Sequence, residues 1–168
     1  MNLSHCTCCG TQHTGIGWPK TCGSCNSTEY KNPLPVAVGL LPFRTKGGKV
    51  GILLARRSIK PSIGELCLPG GFINYEESWQ EAISREVQEE TMIKAHPSEF
   101  FSVGIHSTPD KTRILIFGAT KTIRDADELR NFTETNETSE ILIGDINTKL
   151  CFSLHQLVYD NLFTSSKE

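Results

Sequence analysis

Three glutamates, Glu86, Glu89 and Glu90, stand at i, i+3 and i+4 of a short acidic stretch. In a helix these positions share one face. Carboxylates crowded there repel one another and resist removal from water. A divalent cation removes both objections, and a hard one such as Mg²⁺ takes oxygen ligands of this kind. The alternative is a solvated acidic face. A second set of residues is made of thiols: Cys6-x2-Cys9, twelve residues, then Cys22-x2-Cys25. Tetrahedral Zn²⁺ takes four thiolates at this spacing. A pair of disulfides would need an oxidising compartment that the sequence does not indicate.

The glutamates need a helix to line them up. Ser78 is a good N-cap, and Glu81 three residues later completes a capping box, so the pattern predicts a helix from about Trp79 to about Glu90. At about 100° per residue, Trp79, Ala82 and Ile83 fall on one side, with Val87 at its edge. Gln80, Glu81, Ser84 and Gln88 fall on the other. Glu86 and Glu90 continue the apolar stripe, and Glu89 lies beside it. A helix built only for packing would carry aliphatic residues at those positions.

The stretch from Gly71 to Ile93 resembles the Nudix box: Gly, five residues, Glu, seven residues, then Arg-Glu-aliphatic-any-Glu-Glu-any-Gly-aliphatic. Here that reads Gly71, Glu77, Arg85-Glu86-Val87, Glu89-Glu90 and Ile93. Met92 stands where the family has Gly, a residue that permits a left-handed C-cap. The resemblance covers roughly residues 35–163 and implies an α/β fold, an α/β/α sandwich around a mixed sheet. It implies Glu86, Glu89 and Glu90 as ligands of catalytic Mg²⁺ (or Mn²⁺). Glu77 and Arg85 match the family's structural ion pair, which supports the ligands from behind. The general base is open: Glu89 or Glu90 in the box, or Glu140 or Glu137 from a later loop.

The thiol set predicts a zinc ribbon over residues 1–31, too short for a hydrophobic core and held by its metal. Gly10 and Gly23 suit tight knuckle turns. Cys8 lies inside the first knuckle and is not read as a ligand. Cys67 and Cys151 sit in apolar surroundings and read as small core residues. Similar ribbons precede some Nudix hydrolases, including NADH, ADP-ribose and FAD pyrophosphatases.

Asn32-Pro33-Leu34-Pro35 is a stiff junction, and residues 35–168 form the Nudix-like domain. Residues 36–43 and 50–56 read as buried strands joined by the turn at 46–49, a hairpin. Residues 100–106 and 113–119 read as strands, with Pro109-Asp110-Lys111 turning between them. Residues 124–140 read as a long polar surface loop, and 141–143 as a short strand. Ser153-Leu154-His155-Gln156 forms a second capping-box pattern, and Leu154, Leu157, Val158 and Leu162 carry a helical stripe. Thr164 to Glu168 should fray.

The chain has 168 residues and a net charge of −2. Nothing in that balance favours nucleic acid or an anionic membrane, and the ribbon carries too little positive charge to grip a phosphate backbone. No signal peptide or bilayer-spanning run is read, so the expected location is cytoplasmic. The ribbon is structural or a dimer contact, with a homodimer left open.

The resemblance implies hydrolysis of a phosphoanhydride in a nucleoside diphosphate linked to another group. ADP-ribose, cleaved to AMP and ribose 5-phosphate, is the first choice. FAD and NADH are the alternatives, although the NADH-type motif Ser-Gln-Pro-Trp-Pro-Phe-Pro is absent. A regulatory module that binds ADP-ribose without cleaving it is the reading from another class; such modules usually have eroded boxes. Expected substrate contacts are Arg56, Arg57 and Lys60 on the phosphates, Gly70 and Gly71, and Pro109, which stands where ADP-ribose pyrophosphatases carry a proline. The 106–112 turn, with His106, Pro109 and Asp110, is read as a part that faces the adenosine or the distal group.

Overall fold

The computed structural model describes residues 4–164, so the expected fraying of 165–168 lies outside the described residues. The chain divides into two compact units between Pro33 and Leu34.

The first unit is built on two turns with one hydrogen-bond pattern. Cys6 N–H donates to Thr11 O and Gly10 N–H to Cys6 O; likewise Cys22 N–H donates to Ser27 O and Asn26 N–H to Cys22 O. The turn needs a left-handed residue at its fifth position, supplied by Gly10 (φ +75°) and by Asn26 (φ 57°). Gly23, expected in that role, does not take it; asparagine tolerates the conformation because its short polar side chain can bond locally. Strands β1 (Lys20–Thr21) and β2 (Thr28–Glu29) pair antiparallel beside the second turn.

The second unit contains β3 (Leu34–Leu40), β4 (Pro42–Arg44), β5 (Val50–Arg57), β6 (Leu66–Cys67), β7 (Gly70–Phe72), α1 (Trp79–Thr91), β8 (Phe100–Ser107), β9 (Arg113–Thr120), β10 (Arg124–Asp125), β11 (Thr138–Gly144) and α2 (Ser153–Thr164). One sheet runs β7-β3-β9-β8; the other runs β10-β4-β5-β11, with β6 also on β5. Both are mixed, because β3 lies parallel to β9 and β10 parallel to β4.

Residues 36–43 do not form one strand. The chain changes sheets at Leu41, so β3 enters the first sheet and only β4 forms the hairpin with β5. Pro42 has no N–H for a continuing ladder, and such residues belong at strand starts. The polar 124–140 segment is likewise not one loop. It holds β10, a 3₁₀ turn over Ala126–Asn131 and the start of β11. β11 sits at a sheet edge, where Ser139 and Glu140 face solvent and polar residues hide the strand pattern.

Period-two alternation divides the core. Ala37, Leu41, Phe43 and Leu53 pack with Ala82, Ile83 and Val87 of α1. Val38, Leu40, Ile52 and Leu54 pack with Val158 and Tyr159 of α2. The helices therefore cover opposite faces, an α/β/α sandwich. α1 approaches its strands closely through two glycines that pair across them, Gly39 and Gly118. A Cβ at Gly39 would stand 2.8 Å from Ile83 Cγ2, and one at Gly118 2.7 Å from Trp79 Cζ3.

The Ser78–Glu81 capping box forms as expected, and α1 runs one residue past Glu90. Met92 takes the left-handed cap (φ 63°) and donates its N–H to Gln88 O. At α2 the expected box does not form. Gln156 turns back to accept Leu150 N–H at 2.7 Å, and the helix begins with Gln156 N–H bonded to Phe152 O. Phe152 is therefore the N-cap, one residue before Ser153.

Candidate active site

Arg85 organises the glutamate cluster. Its fork takes Glu77 through Nε and Nη2 at 2.8 and 2.9 Å. Nη1 reaches Glu86 at 2.7 Å and Glu89 at 3.2 Å, and Nη2 also donates to Phe72 O. Glu77 is thereby held well below its ordinary pKa by the guanidinium, while Asn74 N–H fixes its other face. Planar bidentate pairing of this kind sets geometry as well as energy.

Glu86 and Glu90 are withdrawn from water, with the Glu86 side chain 13% exposed and Glu90 7%. Both approach the β7 entry, where side chains are excluded. A Cβ on Gly71 would lie 2.2 Å from Glu86 Oε1, and one on Gly70 2.4 Å from Ala37 O. Gly70 N–H donates to Glu90 Oε2 at 3.0 Å. Burial pushes Glu86 up and pushes Glu90 up to about 8, with Glu86 and Glu137 adding repulsion at Glu90. Glu89 projects outward, its side chain 59% exposed. Two desolvated carboxylates flanked by a third suit a hard divalent cation, which supplies the charge this burial lacks.

These groups open on a cavity of about 1050 Å³. Glu86, Glu89, Glu90, Glu137, Arg57, Lys60, Gly70, Gly71 and Pro109 all line it. Arg85 and Glu77 are not among its walls; Arg85 acts on it through Glu86 and Glu89, and Glu77 through Arg85. Arg56 and Glu140 are not among its walls; they pair with each other at 2.7 Å. His106 is also outside, edge-on to Phe117, and Asp110 is tied into its own turn by Thr108 and Thr112.

Other lining residues escaped the sequence reading. Val36, Val38 and Leu115 looked like ordinary strand residues, and they form an apolar part of the cavity wall. Cys67 and Cys151 line the cavity too; burial pushes the Cys67 thiol up to about 12. Phe152 lies under the Arg57 guanidinium, 5.2 Å from ring centroid to Cζ. Only the reach of Arg57 across the fold brings Phe152 to it, so no local signal was available.

The ribbon's four thiols, Cys6, Cys9, Cys22 and Cys25, have sulfurs all within 4.8 Å of one another. Cys6 and Cys25 lie 3.7 Å apart, Cys9 and Cys22 3.5 Å. A zinc–sulfur bond of about 2.3 Å gives tetrahedral edges of about 3.8 Å, so the set fits Zn²⁺. All seven cysteines are free, and Cys8 is outside the cluster. The Ser27 hydroxyl stands 3.1 Å from both Cys6 and Cys25 sulfurs and pulls the Cys25 thiol down to about 6, toward the ligand form.

Comparison with known proteins places this geometry. The NUDIX domain family pattern matches residues 33–164. An ADP-ribose pyrophosphatase of Methanocaldococcus jannaschii is 40% identical over 83 residues, 49% of this chain and 47% of that protein; the match thus spans about half the relative's length. The crystal structure of a NUDIX hydrolase from Nitrosomonas europaea superimposes with a TM-score of 0.67 at 17% identity, covering 96% of this chain and 91% of that one. The NUDIX domain of Shewanella oneidensis NrtR, complexed with ADP ribose, gives 0.60 at 18% identity, covering 81% and 90%. These likenesses show the fold. With the box helix, its glycine entry and the family pattern running through most of the chain, this protein belongs to the NUDIX domain family.

Proposed function

We propose that the chain is a divalent-metal-dependent pyrophosphohydrolase that cleaves ADP-ribose to AMP and ribose 5-phosphate. The observation that carries it is the buried Glu86–Glu90 pair, held by Arg85 and Gly70 N–H, opening on a cavity large enough for a nucleotide. A cation bound there would neutralise the diphosphate and lower the pKa of a water. Glu86 and Glu90 hold that charge, Arg85 fixes the direction of Glu86 and Gly70 N–H that of Glu90, and the exposed Glu89 completes the set. Arg57 and Lys60 face the phosphates. Of the two loop candidates for general base, Glu137 lines the cavity whereas Glu140 is engaged by Arg56. Glu137 takes the proton as water oxygen bonds to phosphorus; the bridging phosphorus–oxygen bond breaks and the second phosphate leaves. ADP-ribose is favoured by the likeness to an ADP-ribose pyrophosphatase and by Pro109 on the cavity wall.

The test is a panel of ADP-ribose, FAD, NADH, sugar nucleotides, diadenosine polyphosphates and nucleoside triphosphates with Mg²⁺. AMP and ribose 5-phosphate from ADP-ribose are expected as the fastest products. Phosphate release from triphosphates, with ADP-ribose and FAD untouched, would overturn the substrate class.

A further inference from the structure

β11 carries one residue too many for its partner. From Gly144 back to Glu140 it pairs with β5 one to one, from Ile52 to Arg56. Thr138 then opposes Arg57, which leaves Ser139 as the extra residue of a β-bulge. In an unbroken register Ser139 would oppose Arg57, and Glu137 would lie one position further out. The bulge draws the chain back, so that Glu137 comes level with the end of β5 and its carbonyl accepts Ser58 N–H at 2.8 Å. Bulges re-aim side chains in this way beside active sites.

Thr135 holds Glu137 from the other side. Its Oγ1 accepts Glu137 N–H at 3.2 Å and Thr138 N–H at 3.0 Å, and its own N–H donates to Thr138 O at 2.9 Å. Both backbone polar groups of Glu137 are therefore tied, one to a hydroxyl and one to the end of β5. Thr138 is buried, whereas Glu137 is exposed. Packing anchors Thr138, and hydrogen bonds carry that order one residue further. The carboxylate held in this way lines the cavity together with Thr135. Among the described residues no cation meets it within ion-pair distance, whereas Glu140 is held by Arg56. Burial raises Glu86 and Glu90, and the charge of Glu137 adds to the rise at both, so it faces the carboxylates of α1.

We infer that Thr135 is a positioning residue, whose hydroxyl holds the Glu137 carboxylate toward the attacking water. The inference rests on the pyrophosphohydrolase reading with Glu137 as base. Thr135 itself takes no proton; it acts through the backbone of Glu137. Loss of its oxygen would leave the N–H groups of Glu137 and Thr138 without their acceptor and let the turn shift. A displacement of about 1 Å in such a group can cost about 10²-fold in rate.

Four variants of the full chain test this with ADP-ribose and Mg²⁺: Thr135→Val, Thr135→Ser, Glu137→Gln, and Thr135→Val combined with Glu137→Gln. Valine keeps the shape and removes the oxygen; serine keeps the oxygen. Glu137→Gln should lower kcat by about 10²-fold or more. Thr135→Val should lower it by about tenfold or more with KM held within about twofold, and Thr135→Ser should stay near the parent. The combined variant should be no slower than Glu137→Gln alone, because a residue acting through Glu137 has nothing left to position. Amide hydrogen exchange reads the same contacts without turnover: Glu137 and Thr138 should lose protection in Thr135→Val and keep it in Thr135→Ser. Parent-like kcat in Thr135→Val, or the same loss on the Glu137→Gln background as on the parent, would overturn the positioning role and leave Glu137 as base. A parent-like Glu137→Gln would remove the base reading and this inference with it. Equal exchange of the two amides in parent and Thr135→Val would overturn the inference whatever the substrate.

Discussion

The two units arrange their candidate metal ligands in opposite ways. In the ribbon, Cys6 and Cys22 are the only buried residues between 4 and 33. Two of the four candidate ligands are themselves the buried residues, and the turns around them are local. In the NUDIX unit two apolar clusters build the sandwich first. Its candidate ligands are then forced into the end of an apolar stripe, where Glu86 and Glu90 sit against their own preference for water. The ribbon should need its metal to fold. The NUDIX unit should fold without its metal and need it only to act.

The largest effect should follow zinc removal. Structural zinc in small domains contributes on the order of 10 kcal/mol of binding free energy. Chelation, or Cys22→Ser, should make the ribbon protease-sensitive while the NUDIX unit keeps its cooperative melt; Cys8→Ser should leave zinc content unchanged. Mass spectrometry of proteolytic fragments with elemental analysis would show this. Loss of both units together would break the contrast.

Next comes Glu90→Gln. It removes a charged ligand and keeps volume, so turnover should fall by on the order of 10²–10³ at saturating Mg²⁺. Metal-free stability should rise above neutral pH. Glu90 is raised in the folded state, so between about pH 4.5 and about pH 8 the native protein binds more protons than the unfolded one, and stability falls as pH rises. Thermal melts in EDTA across that range should decline in the parent and flatten in the variant. Parallel curves would show that burial of Glu90 carries no cost.

Gly118→Ala should come third. Its Cβ would press on Trp79 and Ile83, and overpacking of this kind costs about 1–3 kcal/mol. Denaturant melts should register it with zinc content unaltered. The smallest effect is Met92→Gly, a gain of about 1 kcal/mol from relieving the left-handed cap, visible as a small rise in melting temperature.

The same contrast explains what could be read from the chain alone. The four clustered cysteines and the box glutamates announce themselves through short-range spacing, as does the Ser78–Glu81 cap. The sheet switch at Leu41–Pro42 was hidden because apolar residues run through both strands. β11 was hidden because an edge strand can afford Ser139 and Glu140. The start of α2 was misread for a subtler reason: Ser153 and Gln156 have capping-box spacing, but the helix starts on Phe152 because Gln156 is drawn to Leu150 N–H. That bond reaches six residues back, beyond the span of a capping box.

The central claim is that the buried carboxylates of α1 direct water onto a diphosphate. Phosphorus NMR of ADP-ribose with the protein and Mg²⁺, in water labelled with heavy oxygen, tests it most directly. The account predicts AMP and ribose 5-phosphate, the label in one of the two phosphates only, no reaction in EDTA, and a rate lowered on the order of 10²–10³-fold in Glu90→Gln. Unlabelled products, or equal rates without a divalent cation, would contradict it.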